Sequence, residues 1–579
     1  MVSKTMLMTS YNYKPLNPDS REIRMLEIHP AFRTSSTIKC SLIVANLDNL
    51  NDDSVPFSFY EALSYTWGDP TGKVTIKLDG CPFEVTRNLA AALRRLRAKR
   101  GYRYLWVDAI CINQDDDQER NSQVSLMGLI YRTAEQVLIW LGREADGSKN
   151  AMKLIFSVAD LYVEESDVAA SLANEAHRAR WRDVARLFDR PYWRRVWVRQ
   201  EIALAKGIVV LCGDRMMSWD ALVEGAVFLT DHTADFEPIA AGISRYTSGY
   251  HDAIGMDILR EMILKDNKVP LEDVILHLRQ CECTDQRDKV YGALGLVGPE
   301  VDVPIDYGLD KIAVYTNAAI AAIKSSNSLN TICACQNPSR SSGLPSWVPD
   351  LEVDWTARKL RGTENIDTLG SAGGFAAPTY SFQYQESGLC SLKTRGVVVD
   401  VVSEVCSEFN NDDTLFEVLE ESRALAMKTL ATVDPPLSDD EMRSCFWRTI
   451  TANEEPRGLA ASDLFIAQAL EHVAEGSSDA IPPIDLRYGQ SSFNERFRVD
   501  AINRLFYATK KGYVGLGPSD AQEGDLVVVL LGNVLPIILR KEKEYYVVVG
   551  ETYTHGIMNG EIASSLDDGS LIVEDFEIH

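Results

Sequence analysis

Between residues 57 and 213 short apolar runs alternate with longer stretches whose apolar positions recur every three or four residues. EALSY (Glu61–Tyr65), YLWVD (Tyr104–Asp108), VLIWLG (Val137–Gly142) and IVVLCG (Ile208–Gly213) are the runs, and each predicts a buried strand. Between them Leu89, Leu93 and Leu96 fall at helical spacing, and Val124, Met127, Tyr131 and Ala134 share one face of a second helix. KVTIKLDGCPFEV alternates at period two around Asp79-Gly80, a dipeptide suited to a tight primed turn, and predicts a hairpin. Strands alternating with helices predict an α/β domain with a mostly parallel sheet flanked by helices.

The pattern changes outside this region. Residues 1–56 read as a lead-in with one strand, Ile38–Leu47, before the α/β domain at 57–213. A helical region follows at 214–340, then a mixed connector at 341–508 that contains the proline- and tryptophan-bearing GLPSWVPDLEVDW and a Gly/Ala/Ser-rich loop near 369–378. Residues 509–579 are strand-rich with glycine turns and suit a small β-barrel. The longest apolar run, LVVVLLGNVLPIIL, is broken by Asn533 and Pro536 and predicts two strands instead of a membrane span. Trp347, His555 and Glu561 sit in this half as structural residues.

Composition narrows the function classes. A chain of 579 residues is too long for one hydrophobic core. Its net charge of −25 opposes non-specific binding to nucleic acid or an anionic membrane, since both require a positive field. Eleven scattered cysteines suit reduced thiols, and the expected location is cytoplasmic.

Candidate chemistry gathers at the strand ends. In open α/β sheets ligands bind beyond the carboxyl ends of the strands. There the chain places Thr66-Trp67-Gly68-Asp69 and the loop from Asp108 to Gln114. Asp69 and Asp108 have an alternative reading as caps of the elements that follow them. The stretch PYWRRVWVRQEIALAK carries a single carboxylate, Glu201, four residues after Trp197 and therefore beside it on a helix. A carboxylate next to an indole and aliphatic groups is partly desolvated, as functional carboxylates often are. The opposing reading pairs Glu201 with Arg194 or Arg195. Asp115 to Asp117 read as a helix start without the spacing of a calcium loop. The one-residue gaps in Cys281-x-Cys283 and Cys333-x-Cys335 are shorter than usual for zinc, so no metal is expected. A hydrolase built on Cys111 would need a histidine base, and His177 is the sole histidine within 57–213. The Walker glycine loop, GxGxxG after a strand and the GxSxG elbow are absent from the sequence.

YEALSYTWGDP, RYLWVDAICINQDDDQERNSQVSLMGLIYRTAEQVLIWLG and RRVWVRQEIALAK together resemble the HET (heterokaryon incompatibility) domain of filamentous fungi, in its order and spacing. CTDQRDKVYGALGL resembles the segment that usually follows it. GYVGLGPSDAQEGDLVVVLLG and YYVVVGETYTHGIMNGE resemble the C-terminal small β-barrel of many such proteins. This resemblance implies non-self recognition and cell death, with self-association or another fungal incompatibility protein as partner. The chain is also distantly similar to TIR domains, whose Trp-Cys-x-x-Glu motif has its counterpart in Trp197-Val198-Arg199-Gln200-Glu201. That similarity implies a TIR-like sheet and cleavage of NAD+, with Glu201 catalytic and NAD+ a substrate rather than a cofactor. Tyr65, Trp67, Asp69, Asp108 and Trp197 are then the substrate-binding residues. The hairpin and the long stretch from Gly142 to Pro191 depart from the TIR pattern. A non-catalytic interaction module that assembles a cell-death complex stays open beside the glycohydrolase.

Overall fold

The apolar runs of the N-terminal half pair into one sheet, because strands buried on both faces need helices on either side and the chain supplies them in between. The computed structural model describes residues 11–17, 20–33, 35–49, 59–159, 174–232, 236, 239–243, 246–265, 269–336, 343–353, 357, 359–360, 376–385, 388–410, 414–455, 459–460, 500–567, 569 and 571–579. The glycine-rich loop near 369–378 lies largely outside the described residues. Two compact units divide the chain. One comprises Met1–Val269, Cys281–Pro299 and Pro304–Gly308, the other Pro270–Gln280, Glu300–Val303 and Leu309–His579.

In the first unit the described strands are β1 (Glu22–Ile28), β2 (Lys39–Asn46), β3 (Glu61–Tyr65), β4 (Lys73–Leu78), β5 (Cys81–Thr86), β6 (Arg103–Trp106), β7 (Gln136–Trp140), β8 (Ile208–Cys212) and β9 (Arg215–Ser218). They form a nine-stranded sheet in the order β5-β4-β2-β1-β6-β3-β7-β8-β9. The expectation of a mostly parallel sheet needs correction. Pairing is parallel along β6, β3, β7 and β8 and between β2 and β4. It is antiparallel between β1 and β2, β1 and β6, β4 and β5, and β8 and β9. The cause is local: three of these antiparallel pairs are consecutive strands joined without a crossover helix, and such neighbours fold back on one another. Residues 1–56, read as a lead-in with one strand, thus supply two strands of the sheet. At the β4–β5 turn Asp79 and Gly80 take φ of 49° and 82°, the primed-turn conformation their sequence favours.

The central strands are doubly wound. In chain order β3 comes first, β6 lies on one side of it, and β7 and β8 lie on the other. The reversal opens a crevice between the carboxyl ends of β3 and β7, the usual ligand position in such sheets. Helix α1 (Arg87–Leu96) follows the hairpin, capped by the Thr86 hydroxyl and burying Leu89, Leu93 and Leu96. A single turn, α2 (Asp108–Cys111), leads to α3 (Asp117–Thr133). The acidic run supplies its cap, since Asp116 accepts the Gln118 and Glu119 N–H groups at 3.0 and 3.1 Å. Then come α4 (Ser148–Ala159), α5 (Glu175–Phe188), a 3₁₀ turn at Pro191–Arg194 and α6 (Val196–Ala203). Helices α7 (Trp219–Asp231) and α8 (Tyr246–Leu264) enlarge the core, where Trp181, Phe188, Trp193, Leu222 and Tyr250 are buried. Helix α9 (Asp288–Leu294), formed by the CTDQRDKVYGALGL segment, packs on α6.

The second unit is helical at first, with Leu271–Leu278 and Lys311–Ser326, and then strand-rich. Its pairings close a circuit: Leu526–Leu530 with Ile537–Glu542, that strand with Tyr545–Glu551, onward to Val573–Ile578, to Cys390–Glu408, and back to Leu526–Leu530. Asn533 and Pro536 lie between two strands, as the sequence pattern requires. Valines 397, 399, 402, 527, 529 and 549 fill the interior with Ile538. Trp347 is fully buried and donates to the Cys390 carbonyl at 3.0 Å. Arg504 and Glu551, both buried, pair at 2.7 Å.

Candidate functional site

The residues at the end of β3 fix the site. Successive side chains of a strand point to opposite faces, so Ser64 and Tyr65 divide between the two. Ser64 is fully buried and donates its hydroxyl to Glu201 Oε2 on α6. The Tyr192 hydroxyl, from the 3₁₀ turn, lies 2.6 Å from the same Ser64 Oγ. Glu201 is only 4% exposed. Burial pushes its pKa up to about 7, against the opposing pull of the Arg195 charge and the Ser64 and Tyr131 hydroxyls, and Asp108 adds a like charge. Arg195, just ahead of α6, donates to the Tyr65 carbonyl. Arg194 turns away and pairs with Glu282 at 3.0 Å.

Asp108 opens α2 and accepts the Ala109 N–H and the Trp67 indole N–H, each at 2.7 Å. The cap position of α2 is Val107, without a side-chain cap bond, and Asp108 is the helix's first residue. Burial raises the pKa of Asp108 while Arg195 and Trp67 oppose the shift. Tyr65 is buried beside Asp108, and its hydroxyl makes no well-formed hydrogen bond. Burial drives the pKa of that phenol well above its ordinary value, and the Asp108 charge adds to it. Trp67 is 42% exposed and so forms an edge instead of a core wall.

The other two expected residues lie apart from this cluster. Asp69 is exposed, and its Oδ1 accepts the Thr71 N–H at 2.8 Å and the Thr71 hydroxyl at 2.6 Å, which holds its pKa low. Trp197 sends its indole N–H to Asp288 on α9 at 3.1 Å, and Tyr307 donates to the same carboxylate at 2.6 Å. Trp197 and Glu201 thus have different partners, although four residues separate them on one helix.

An open cleft of about 420 Å³ occupies the switch point. Thr66 and Leu141 continue β3 and β7 into it, Arg87 and Asn88 come from the first turn of α1, and Asp69, Arg143, Asp146, Arg190 and Tyr192 are also among the lining residues. Asn88 is held by the Thr66 carbonyl at 2.7 Å and by the Trp140 indole at 2.9 Å. Because Tyr192 lines the cleft and also touches Ser64, a line of hydroxyls connects the cleft to Glu201. Such an arrangement can move a proton between a ligand and a carboxylate that ionises near neutrality. Among the described residues no group of three or more His, Cys, Asp and Glu could hold a metal ion.

The sequence reading missed Ser64, Tyr131 and Tyr192, and placed Arg195 only as a partner for Glu201. Signals existed for two of them: Ser64 precedes Tyr65 in the first quoted motif, and Tyr192 lies in the arginine-rich stretch that holds Glu201. Tyr131 looked like one more core position on α3.

Residues 60–201 match the family described as heterokaryon incompatibility protein (HET), and residues 496–570 match the Het-6 beta-barrel domain. Heterokaryon incompatibility protein 6, OR allele, of Neurospora crassa is 25% identical over 676 aligned residues, covering 96% of this chain and 97% of that protein. No solved structure matches the chain significantly. No helix among the described residues is long and apolar enough to cross a membrane. The stretch around β3 and α6 is thus similar to the heterokaryon incompatibility family, and a stretch near the C-terminal end is similar to the Het-6 beta-barrel domain.

Proposed function

We propose that this protein acts in heterokaryon incompatibility as a cell-death effector, and that its α/β unit cleaves NAD+ at the nicotinamide–ribose bond with Glu201. The observation that carries the reading is one carboxylate, buried at the end of the central strand beside the switch-point cleft, with a pKa pushed up to about 7. The TIR-like spacing of Trp197 and Glu201 supports it. In the reaction the C1′–N bond breaks and its electron pair neutralises the pyridinium, so nicotinamide leaves without an acid. Water adds to C1′ and releases one proton. That proton passes to the Tyr192 oxygen, the Tyr192 proton to Ser64, and the Ser64 proton to ionised Glu201, whose charge also favours the developing oxocarbenium.

Because Glu201 must be ionised, activity rises with pH through about 7. The test is nicotinamide release by the purified full chain and by Glu201→Gln. A loss on the order of 100-fold or more in a variant of unchanged melting temperature is expected. Equal turnover in the two proteins would sink the reading. A second reading is favoured by Glu201 being only 4% exposed. In it the α/β unit is a non-catalytic module that assembles a cell-death complex, and Glu201 holds α6 on β3. Nicotinamide release absent from wild type at all concentrations, with Glu201→Gln still killing cells, would establish this second reading.

A further inference from the structure

We infer that the switch-point cleft is a binding subsite for the phosphates of a nucleotide pyrophosphate ester, held between Arg87 and Arg143 with Arg190 behind them. The chain as a whole is acidic, with 59 Lys and Arg against 84 Asp and Glu, so three arginines lining one cleft with two carboxylates are a local reversal of sign. Arg190 donates through Nη1 to the Leu141 carbonyl at 2.6 Å and the Cys212 thiol at 3.1 Å. Through Nη2 it donates to the carbonyls of Arg143 and Ala145 at 3.3 Å. All four partners are neutral, so among the described residues no carboxylate pairs with this guanidinium while it fixes the loop that carries Arg143. Arg87 and Arg143 are exposed and form no ion pair among the described residues. Two carboxylates share the cleft. Asp69 is engaged chiefly by Thr71 and also feels the Arg87 charge, and Asp146 is exposed.

Arg87 is also the first residue of α1, a helix of ten residues whose N-terminal partial charge adds to the field. Two exposed arginines lining one open cleft suit a bridging pair of phosphates, because guanidinium groups bind phosphate oxygens in pairs. The cleft is of the size that takes a nucleotide-sized ligand. The subsite lies in the same cleft as the proposed NAD+ cleavage but needs no turnover.

The experiment is calorimetric titration of the full chain carrying Glu201→Gln, so that no ligand is consumed, with ADP-ribose, inorganic pyrophosphate and nicotinamide riboside as probes. ADP-ribose and pyrophosphate bind, and the riboside, which lacks phosphate, binds at least about tenfold more weakly. Arg87→Glu and Arg143→Glu each weaken ADP-ribose about tenfold, and rising salt weakens it further. Arg215→Glu, at the exposed start of β9, leaves it unchanged. The inference falls if neither phosphate probe binds at millimolar concentration. It also falls if both cleft variants, folded by circular dichroism, bind as before, or if the riboside binds as tightly as ADP-ribose. ADP-ribose binding alongside intact NAD+ in the wild type would keep the subsite and remove the glycohydrolase.

Discussion

At the scale of single residues, Glu201 links stability to pH. Its folded-state pKa of about 7 lies above the ordinary 4.5, so the folded protein holds this proton more tightly than the unfolded chain. That contribution is complete below the unfolded value and is lost as pH rises through about 7, on the order of 3 kcal/mol across the interval. Asp108 shifts in the same direction, so the wild type alone does not isolate Glu201. The comparison with Glu201→Gln does. Urea unfolding at pH 5.5 and pH 8 is expected to show the wild type losing more stability than the variant. Equal losses would mean that Glu201 ionises normally.

Among elements, α6 is the hinge of the argument, because it carries Glu201 and touches β3, α3, α8 and α9. Its position depends on how closely its neighbours approach, and α8 sets one limit. Gly249 lies on α8 against the end of α5, where an added Cβ would sit 1.9 Å from the Phe188 carbonyl oxygen. Backbone cannot yield as a flexible side chain would. Gly249→Ala should therefore cost about 1–3 kcal/mol, read as a lower urea midpoint with an unchanged slope. A neutral result would show that α8 shifts without disturbing the core. This packing was illegible in the sequence, where Gly249 reads as one weak helix position. The elements around it were legible: the β4–β5 hairpin from Asp79-Gly80, α1 from Leu89, Leu93 and Leu96, and the cap of α3 from the acidic run. Each of these follows from neighbours a few residues away.

At the scale of the molecule, the first unit does not end where the alternation of strands and helices ends. Arg199, on α6, is 1% exposed, and its charge is met by Asp252 Oδ1 at 2.6 Å, with Cys281 Sγ at 3.3 Å from its Nε. Trp197 finds its partner only at Asp288. A fragment of residues 1–215 would keep Arg199 and Trp197 and lose those partners. An unpaired buried charge costs about 3–5 kcal/mol. We expect the 1–215 fragment to lack a cooperative unfolding transition and near-ultraviolet dichroism. A fragment of 1–308, which retains every segment of the first unit, should show both. Cooperative unfolding of the shorter piece would mean that α6 is secured by the sheet alone.

The sequence by itself determined the local grammar of this protein and its resemblance to the HET family. Apolar period, turn dipeptides and caps act over a few residues, and the three HET motifs are contiguous strings. It also singled out Glu201, because one carboxylate among arginines and tryptophans departs from an ordinary helix. Tertiary structure decided what that carboxylate meets. Ser64, Tyr131 and Tyr192 come from three elements far apart in the chain, and no periodicity encodes their convergence. It also turned Trp197 toward Asp288 and opened the cleft at β3 and β7, because strand order is set by how crossovers pack and not by any one segment.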